Sequence, residues 1–263
     1  MFVIGERING MFQDVRGAIE GKDKSVIQDV AKRQLEGGAD ALDINVGPAK
    51  GKAIDNMLWL IEAAQEVTDV PLCIDTPKFD VMEQALKACT NPTIINSTKA
   101  TEAELDRYVP LAAETNSRLV ALTIDASGVP SNVDARINMG ATIVTKAMEH
   151  GLDIPKLFID PVIIPVNVAP KQPVAVMEAI RQLKLLSDPP PKFILGLSNV
   201  SQSCKLRELI NRIYLAMAVG AGLDAAILDS TDRELMEAGI TAELLLEKQI
   251  YCDNYIDAYM SNK

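Results

Sequence analysis

Eight times along this chain a short apolar run ends in a polar side chain. The runs are 2–9, 40–46, 71–76, 92–98, 118–125, 157–162, 192–199 and 225–230. Their tips fall at Asn9, Asn45, Asp75, Asn96, Asp125, Asp160, Asn199 and Asp229. Each run is nearly continuously apolar, which is the pattern of a parallel strand buried on both faces. The gaps between tips run from 21 residues (Asp75 to Asn96) to 39 (Asp160 to Asn199), about the length of one strand–helix unit. Helical patterns fill the gaps. They are expected over 25–36, stopping at Gly37-Gly38, and over 53–67, 79–88, 102–114, 133–150 and 174–186. Two more follow over 207–219, stopping before Gly220, and over 232–249, with a tail at 253–260 packed outside. Eight such units favour a closed α/β barrel over an open doubly wound sheet. The first turn, IGERINGMF, also lacks the Gly-x-Gly-x-x-Gly phosphate turn of the open fold. At 263 residues the chain has the size of one (β/α)8 TIM barrel. No low-complexity linker divides it, so a single domain over 1–263 is expected.

Composition narrows the function by exclusion. There are 36 acids against 26 bases, a net charge of −10, which argues against nucleic acid and against an anionic membrane surface. No transmembrane run or signal peptide is read in the sequence. Cys73, Cys89, Cys204 and Cys252 are scattered without a C-x-x-C pair. They are expected to be buried free thiols in a reducing cytoplasm, with no zinc–thiolate site. The lone histidine, His150, falls at the C-terminal end of the fifth expected helix, on the lower face of the barrel. It is expected to face the helix dipole, which removes imidazole catalysis, His-ligated metals and a Ser-His-Asp set from the mouth.

What gathers at the expected mouth is Asp and Asn. Asp75, Asn96 and Asp160 lie on three different strand tips. A carboxylate accepts two parallel hydrogen bonds and an amide both donates and accepts, so two carboxylates and an amide suit a flat, nitrogen-rich heterocycle such as a pterin. The bland reading is that each merely caps the following helix. Asp75 and Asp160 also allow a glycosidase acid–base pair, but Trp59 is the only Trp that could serve as a sugar platform. The seventh run, Phe193 to Gln202, has the most polar tip, SNVSQ, and is the expected place where a substrate atom is handled.

In order along the chain stand GERIN (5–9), DINVGP (43–48), IDT (74–76), INST (95–98), IDP (159–161) and GLSNVSQ (196–202). With these six motifs the chain resembles the pterin-binding methyltransferases, over essentially its whole length. The group includes the folate domain of cobalamin-dependent methionine synthase and the methyltetrahydrofolate:corrinoid/iron–sulfur protein methyltransferases. The resemblance implies a pterin-binding TIM barrel that moves a methyl group from 5-methyltetrahydrofolate to cob(I)alt of a protein-bound corrinoid. It implies that Asp75, Asn96 and Asp160 hold the pterin ring and that Asn199 lies by the methylated nitrogen. Gly196, Ser198, Gln202 and Arg207 match the strip along the ligand. Dihydropteroate synthase shares the barrel, but its phosphate-binding Arg-x-His has no counterpart in ILDSTDRE; a non-catalytic folate-binding subunit is the other alternative.

An amine nitrogen leaves poorly unless it carries positive charge. The Asn199 carbonyl can accept from a protonated nitrogen. The proton is expected to come from solvent, relayed by water near Asp43, Asn45 and Asp75. Since a corrinoid cannot enter a packed barrel, a partner, the corrinoid/iron–sulfur protein, should bring it, with Met11 and Phe12 either an exposed docking pair or folded back over the barrel's own core. The helix carrying LINRIYLAMAVGAG is apolar on more than one face, the pattern of a homodimer contact or of a helix packed between neighbours.

Overall fold

The structure is a computed structural model and describes residues 1–48 and 52–248. The eight strands are β1 Phe2–Asn9, β2 Ala41–Asn45, β3 Leu72–Asp75, β4 Thr93–Lys99, β5 Arg118–Leu122, β6 Leu157–Asp160, β7 Lys192–Gly196 and β8 Ala225–Leu228. All pair in parallel in chain order, and β1 pairs with β8 to close the barrel. The helices are α1 Gln13–Gly21, α2 Lys24–Glu36, α3 Ala53–Gln65, α4 Phe79–Ala88, α5 Glu102–Glu114, α6 Val133–Glu149, α7 Gln172–Leu183, α8 Arg207–Ala221 and α9 Arg233–Leu245. The expected (β/α)8 barrel is therefore the fold.

Two apolar layers follow from the pleat, because successive side chains on a strand point to opposite faces. Outward residues such as Leu42, Ile44, Leu72, Ile95, Leu119 and Leu195 join the inner faces of the helices in one continuous core. Inward residues Ile4, Ala41, Cys73, Ile94, Val120, Phe158, Ile194 and Ala225 form a second cluster that plugs the barrel. Below it Phe2 packs near Phe158, their ring centroids 6.3 Å apart, and the Arg118 guanidinium sits 4.5 Å from the Phe2 centroid. The inner layer separates the mouth from a lower recess of about 410 Å³ lined by Phe2, Arg118, Phe158 and Lys192.

Several boundaries depart from expectation. α1 was missed: its Val15, Ala18 and Ile19 are buried, but nine residues are too few for a clear apolar period. The helix expected to stop before Gly220 runs on to Ala221, because the left-handed C-cap is Gly222, at φ 107°, and not Gly220. β5 stops at Leu122, short of Asp125, whose carboxylate closes its own turn on the Ser127 N–H at 2.8 Å. Of the expected buried thiols only Cys73 is fully buried; Cys89 and Cys204 are half-buried. All three are free, while Cys252 and the tail at 253–260 lie outside the described residues. His150 caps α6 and pairs with Asp106 of α5 at 3.0 Å, away from the mouth. Among the described residues no helix is long and apolar enough to cross a membrane.

Candidate active site

The same period of two decides what reaches the mouth. One step up from the inner apolar layer, the inward positions are Glu6, Asp43, Asp75, Asn96, Leu122, Asp160, Gly196 and Ile227. Four carboxyls and an amide thus ring the floor of the mouth. Asn45 adds a further amide, aligned in register with Asn9 on one side and Asp75 on the other. Asp75 is in turn aligned with Asn96. β1 carries a bulge between Gly5 and Ile8, one extra residue against β2. That extra residue lets both Glu6 and Asn9 face inward, although three positions separate them.

Two cross-strand hydrogen bonds tie the floor together. Asn45 Nδ2 donates to Asp75 Oδ2 at 2.6 Å, and Asn96 Nδ2 donates to Asp43 Oδ1 at 3.3 Å. The Asp160 carboxylate accepts from the Val162 N–H at 2.7 Å. Behind it the fully buried Arg136 of α6 donates to the carbonyls of Pro161 at 2.7 Å and Val162 at 3.2 Å, and to the Gln172 side chain. This guanidinium holds the β6–α7 connection, and with it Asp160, in place. The tips Asn9, Asp125 and Asp229 accept from the N–H two residues on, a local turn that Asn45 and Asp160 also close, on Gly47 and Val162.

Burial loads the site with protons. Desolvation raises Asp160 to about 7 against the opposing pull of the Val162 and Gly196 N–H groups and the Arg136 charge. It raises Asp43 well above the ordinary range, helped by the neighbouring Asp75 charge, and raises Asp75 against the Asn45 bond. Cys73 is pushed well up by burial and by Asp43 and Asp75, so it stays a thiol and is no nucleophile. Glu6 reaches about 7, raised first by burial and then by Asp229, and lowered by the Ser198 hydroxyl, Arg207 and Arg7. Among the described residues no group of three or more His, Cys, Asp or Glu is arranged to hold a metal ion.

The residues singled out in the sequence fall into three places. Asp43, Asn45, Asp75, Asn96 and Asp160 share the floor just described. Ser198 and Asn199 were expected on strand β7, but that strand ends at Gly196, and Leu197–Ser201 is a single 3-10 turn over the mouth. Asn199 is exposed there, and a Cβ at position 196 would come within 3.0 Å of its Nδ2, so the glycine makes room for the amide. Gln202 is exposed and its N–H closes the turn on the Asn199 carbonyl at 3.3 Å. Arg207 braces the turn from α8, its Nε donating to Ser201 Oγ at 3.3 Å and its Nη2 to the Ser198 carbonyl at 3.5 Å. Met11 and Phe12 part company: Met11 is 63% exposed, but Phe12 packs against the outer core, with the Arg7 guanidinium 3.8 Å from its ring centroid. The start of α1 at Gln13 turns Phe12 inward, so the core reading holds for Phe12 and the exposed one for Met11. Glu6 and Arg136 were missed. Period-two parity with Phe2 and Ile4 signals Glu6; Arg136, one charged position on an amphipathic helix, gives no local signal.

The family model described as pterin binding enzyme matches residues 13–229. The chain is 30% identical over 268 residues to the methylcorrinoid:tetrahydrofolate methyltransferase of Eubacterium limosum, spanning 100% of this chain and 97% of that protein. It is 28% identical to the methionine synthase of Mycobacterium leprae, over 88% of this chain but only 20% of that longer protein. Among solved structures, the dihydropteroate synthase of Yersinia pestis matches with a TM-score of 0.67 and 19% identity, over 94% of this chain and 93% of that one. The dihydropteroate synthase of Coxiella burnetii in complex with pteroic acid gives 0.72 at 14% identity, over 94% of each. At such identities the structures speak for the barrel alone.

Proposed function

The chain belongs to the pterin-binding enzyme family, and from that premise we propose that it moves a methyl group between N5 of tetrahydrofolate and the cobalt of a corrinoid. The observation that carries this reading is the floor of the mouth: Asp75 and Asn96 in register on adjoining strands, with Asp160 held by Arg136. Acceptor-rich carboxylates beside an amide suit the donor-rich edge of a pterin. The full-length similarity to the Eubacterium limosum enzyme supports the corrinoid half. Its name writes the corrinoid as donor, and we take the forward direction here as transfer from 5-methyltetrahydrofolate to cobalt.

We place the corrinoid on a separate protein, a corrinoid/iron–sulfur protein of the reductive acetyl-CoA pathway, docking over the mouth in the cytoplasm. Met11, exposed beside the first turn, is the contact we assign to it, while Phe12 supports the barrel wall. The test is transfer of a labelled methyl from methyltetrahydrofolate to free cob(I)alamin and to the partner protein. Wild type is expected to serve both acceptors. Met11→Lys should leave the free acceptor unaffected and slow the protein acceptor. Folate binding without any transfer would make the chain a non-catalytic presenter of folate.

We also propose a dimer through α8. Leu209, Ile213 and Met217 follow one another at helical spacing and are 54%, 56% and 46% exposed, beside a cavity of about 630 Å³ shared with Leu245 and Leu246 at the end of α9. Sedimentation at micromolar concentration should give twice the chain mass, and Ile213→Lys should return it to the chain mass. A wild type that sediments as one chain removes the dimer.

A further inference from the structure

Glu6 is the carboxyl of the mouth that bonds the turn carrying Asn199: Ser198 Oγ donates to Glu6 Oε1 at 2.7 Å. The period-two alternation from Phe2 and Ile4 places it there, next to the β1 bulge, and bulges recur beside active sites. The other floor carboxyls are engaged differently. Asp43 meets Asn96 and Cys73, Asp75 meets Asn45, and Asp160 meets the Val162 and Gly196 N–H groups. Glu6 is also only partly buried, whereas Asp43 lies at 2% exposure, so solvent can renew a proton on it.

We propose that Glu6 holds the proton that the pterin nitrogen gains as it gives up its methyl group, passing it through the Ser198 hydroxyl to the Asn199 turn. This assignment rests on the methyl-transfer reading above. The Glu6 carboxyl gives one proton by way of Ser198 to N5, leaving Glu6 a carboxylate and N5 a cation. Cobalt(I) attacks the methyl carbon with its electron pair, the cobalt–carbon bond forms, and the N5–carbon bond breaks with its pair left on nitrogen. N5 ends as a neutral secondary amine bearing the proton from Glu6, and solvent reprotonates Glu6. In the opposite direction Glu6 takes the proton that N5 sheds on being methylated. A hydroxyl is suited to the relay because it rotates, accepting from one neighbour and donating to the next.

The surroundings allow Glu6 to exchange protons near neutrality. Burial and the Asp229 carboxylate of the β8 end raise it, Arg7 of its own strand and Arg207 of α8 pull it back, and Asp43 of β2 feels its charge. Glu6 is a positioning and proton-holding residue, since Ser198 stands between it and the ligand.

The test uses Glu6→Gln, whose amide carbonyl still accepts from Ser198 but has no proton to give at this pH. At saturating folate and pH 6.5 its transfer rate to cob(I)alamin should fall about tenfold, less than the ~10²–10⁴ of a direct general acid because solvent can substitute. The rise in wild-type rate between pH 8 and pH 6 should flatten. Folate affinity should stay within about threefold of wild type, a loss of under one charged bond. A Gln variant with the wild-type rate and pH profile overturns the proposal, and so does one whose profile is unchanged while folate binding collapses. Infrared difference spectra between pH 5.5 and 8.5 give a second readout independent of activity. Glu6 and Asp160 should both contribute carboxyl bands titrating near 7 in wild type, and the band that remains in Asp160→Asn should vanish in Glu6→Gln; Glu6 ionised across that range overturns the proposal. A wild type that shows this band but moves no methyl group sinks the methyl-transfer reading instead.

Discussion

Asn199→Ala is expected to lower the methyl-transfer rate by ~10²–10³, the usual loss when one preorganised partner of a developing charge is removed. Asn199 sits in the Leu197–Ser201 turn above the floor, with Gly196 leaving room for its amide. The amide carbonyl can accept from a protonated N5, and its NH2 can meet a neutral one. An interaction that grows as the nitrogen turns positive acts mainly on the transition state. Folate affinity should therefore change far less than rate, because Asp75, Asn96 and Asp160 remain on other strands. Single-turnover kinetics at saturating folate separates the two effects. A variant that binds tenfold worse yet transfers at the wild-type rate would falsify this role and leave Asn199 a binding residue. Asn199→Ala and Glu6→Gln differ in their pH signatures. Removing the amide should lower the rate at every pH, whereas removing the acid should remove the dependence on pH.

The barrel was legible in the sequence because a strand buried on both faces leaves a nearly continuous apolar run, and eight such runs at regular spacing allow few arrangements. The floor was legible for a related reason. Asp75, Asn96 and Asp160 end their runs, and the parity of the runs points them inward. Glu6 was hidden because it lies inside a strand, not at its tip, and a bulge shifts the alternation after it. Asn9 is the polar tip of β1, as read, and its side chain closes a turn on the Met11 N–H at 2.9 Å, while Glu6 sits one level deeper. Ser198 and Asn199 kept their place in space but not their element. Gly196 ends the strand, and a 3-10 turn carries the two side chains where an extended strand would have sent them to opposite faces. Arg136 was beyond sequence reasoning, since its partners are carbonyls 25 and 26 residues away, made available only by the closed barrel.

Asp160→Ala is expected to weaken folate binding by at least ~10²-fold at pH 8. In the proposed complex the carboxylate accepts two N–H groups of the pterin edge, and each charge-assisted bond lost is worth ~1.5–3 kcal/mol. The pH dependence should identify the carboxyl. In the free protein Asp160 is raised to about 7, so at pH 6 about nine molecules in ten hold it protonated, and the binding-competent fraction is about one tenth. Wild-type affinity should then be about tenfold weaker at pH 6 than at pH 8, while the rate at saturation moves the other way. Asp160→Asn, fixed in the shape of the protonated acid, should bind weakly at both pH values with little slope. Stability runs opposite to affinity. An unfolded Asp titrates near 3.8, so between that value and about 7 the native protein holds a proton the unfolded chain has released. The stability this proton contributes is full below pH 4 and is lost as pH rises through 7, and Glu6, raised from 4.5 to about 7, adds to the same fall. Ligand-free protein should unfold at a lower temperature at pH 8 than at pH 5, and folate should raise the unfolding temperature more at pH 8 than at pH 6. Calorimetry at the three pH values checks both halves, and affinity that is flat in pH in the wild type would remove Asp160 from the pterin edge.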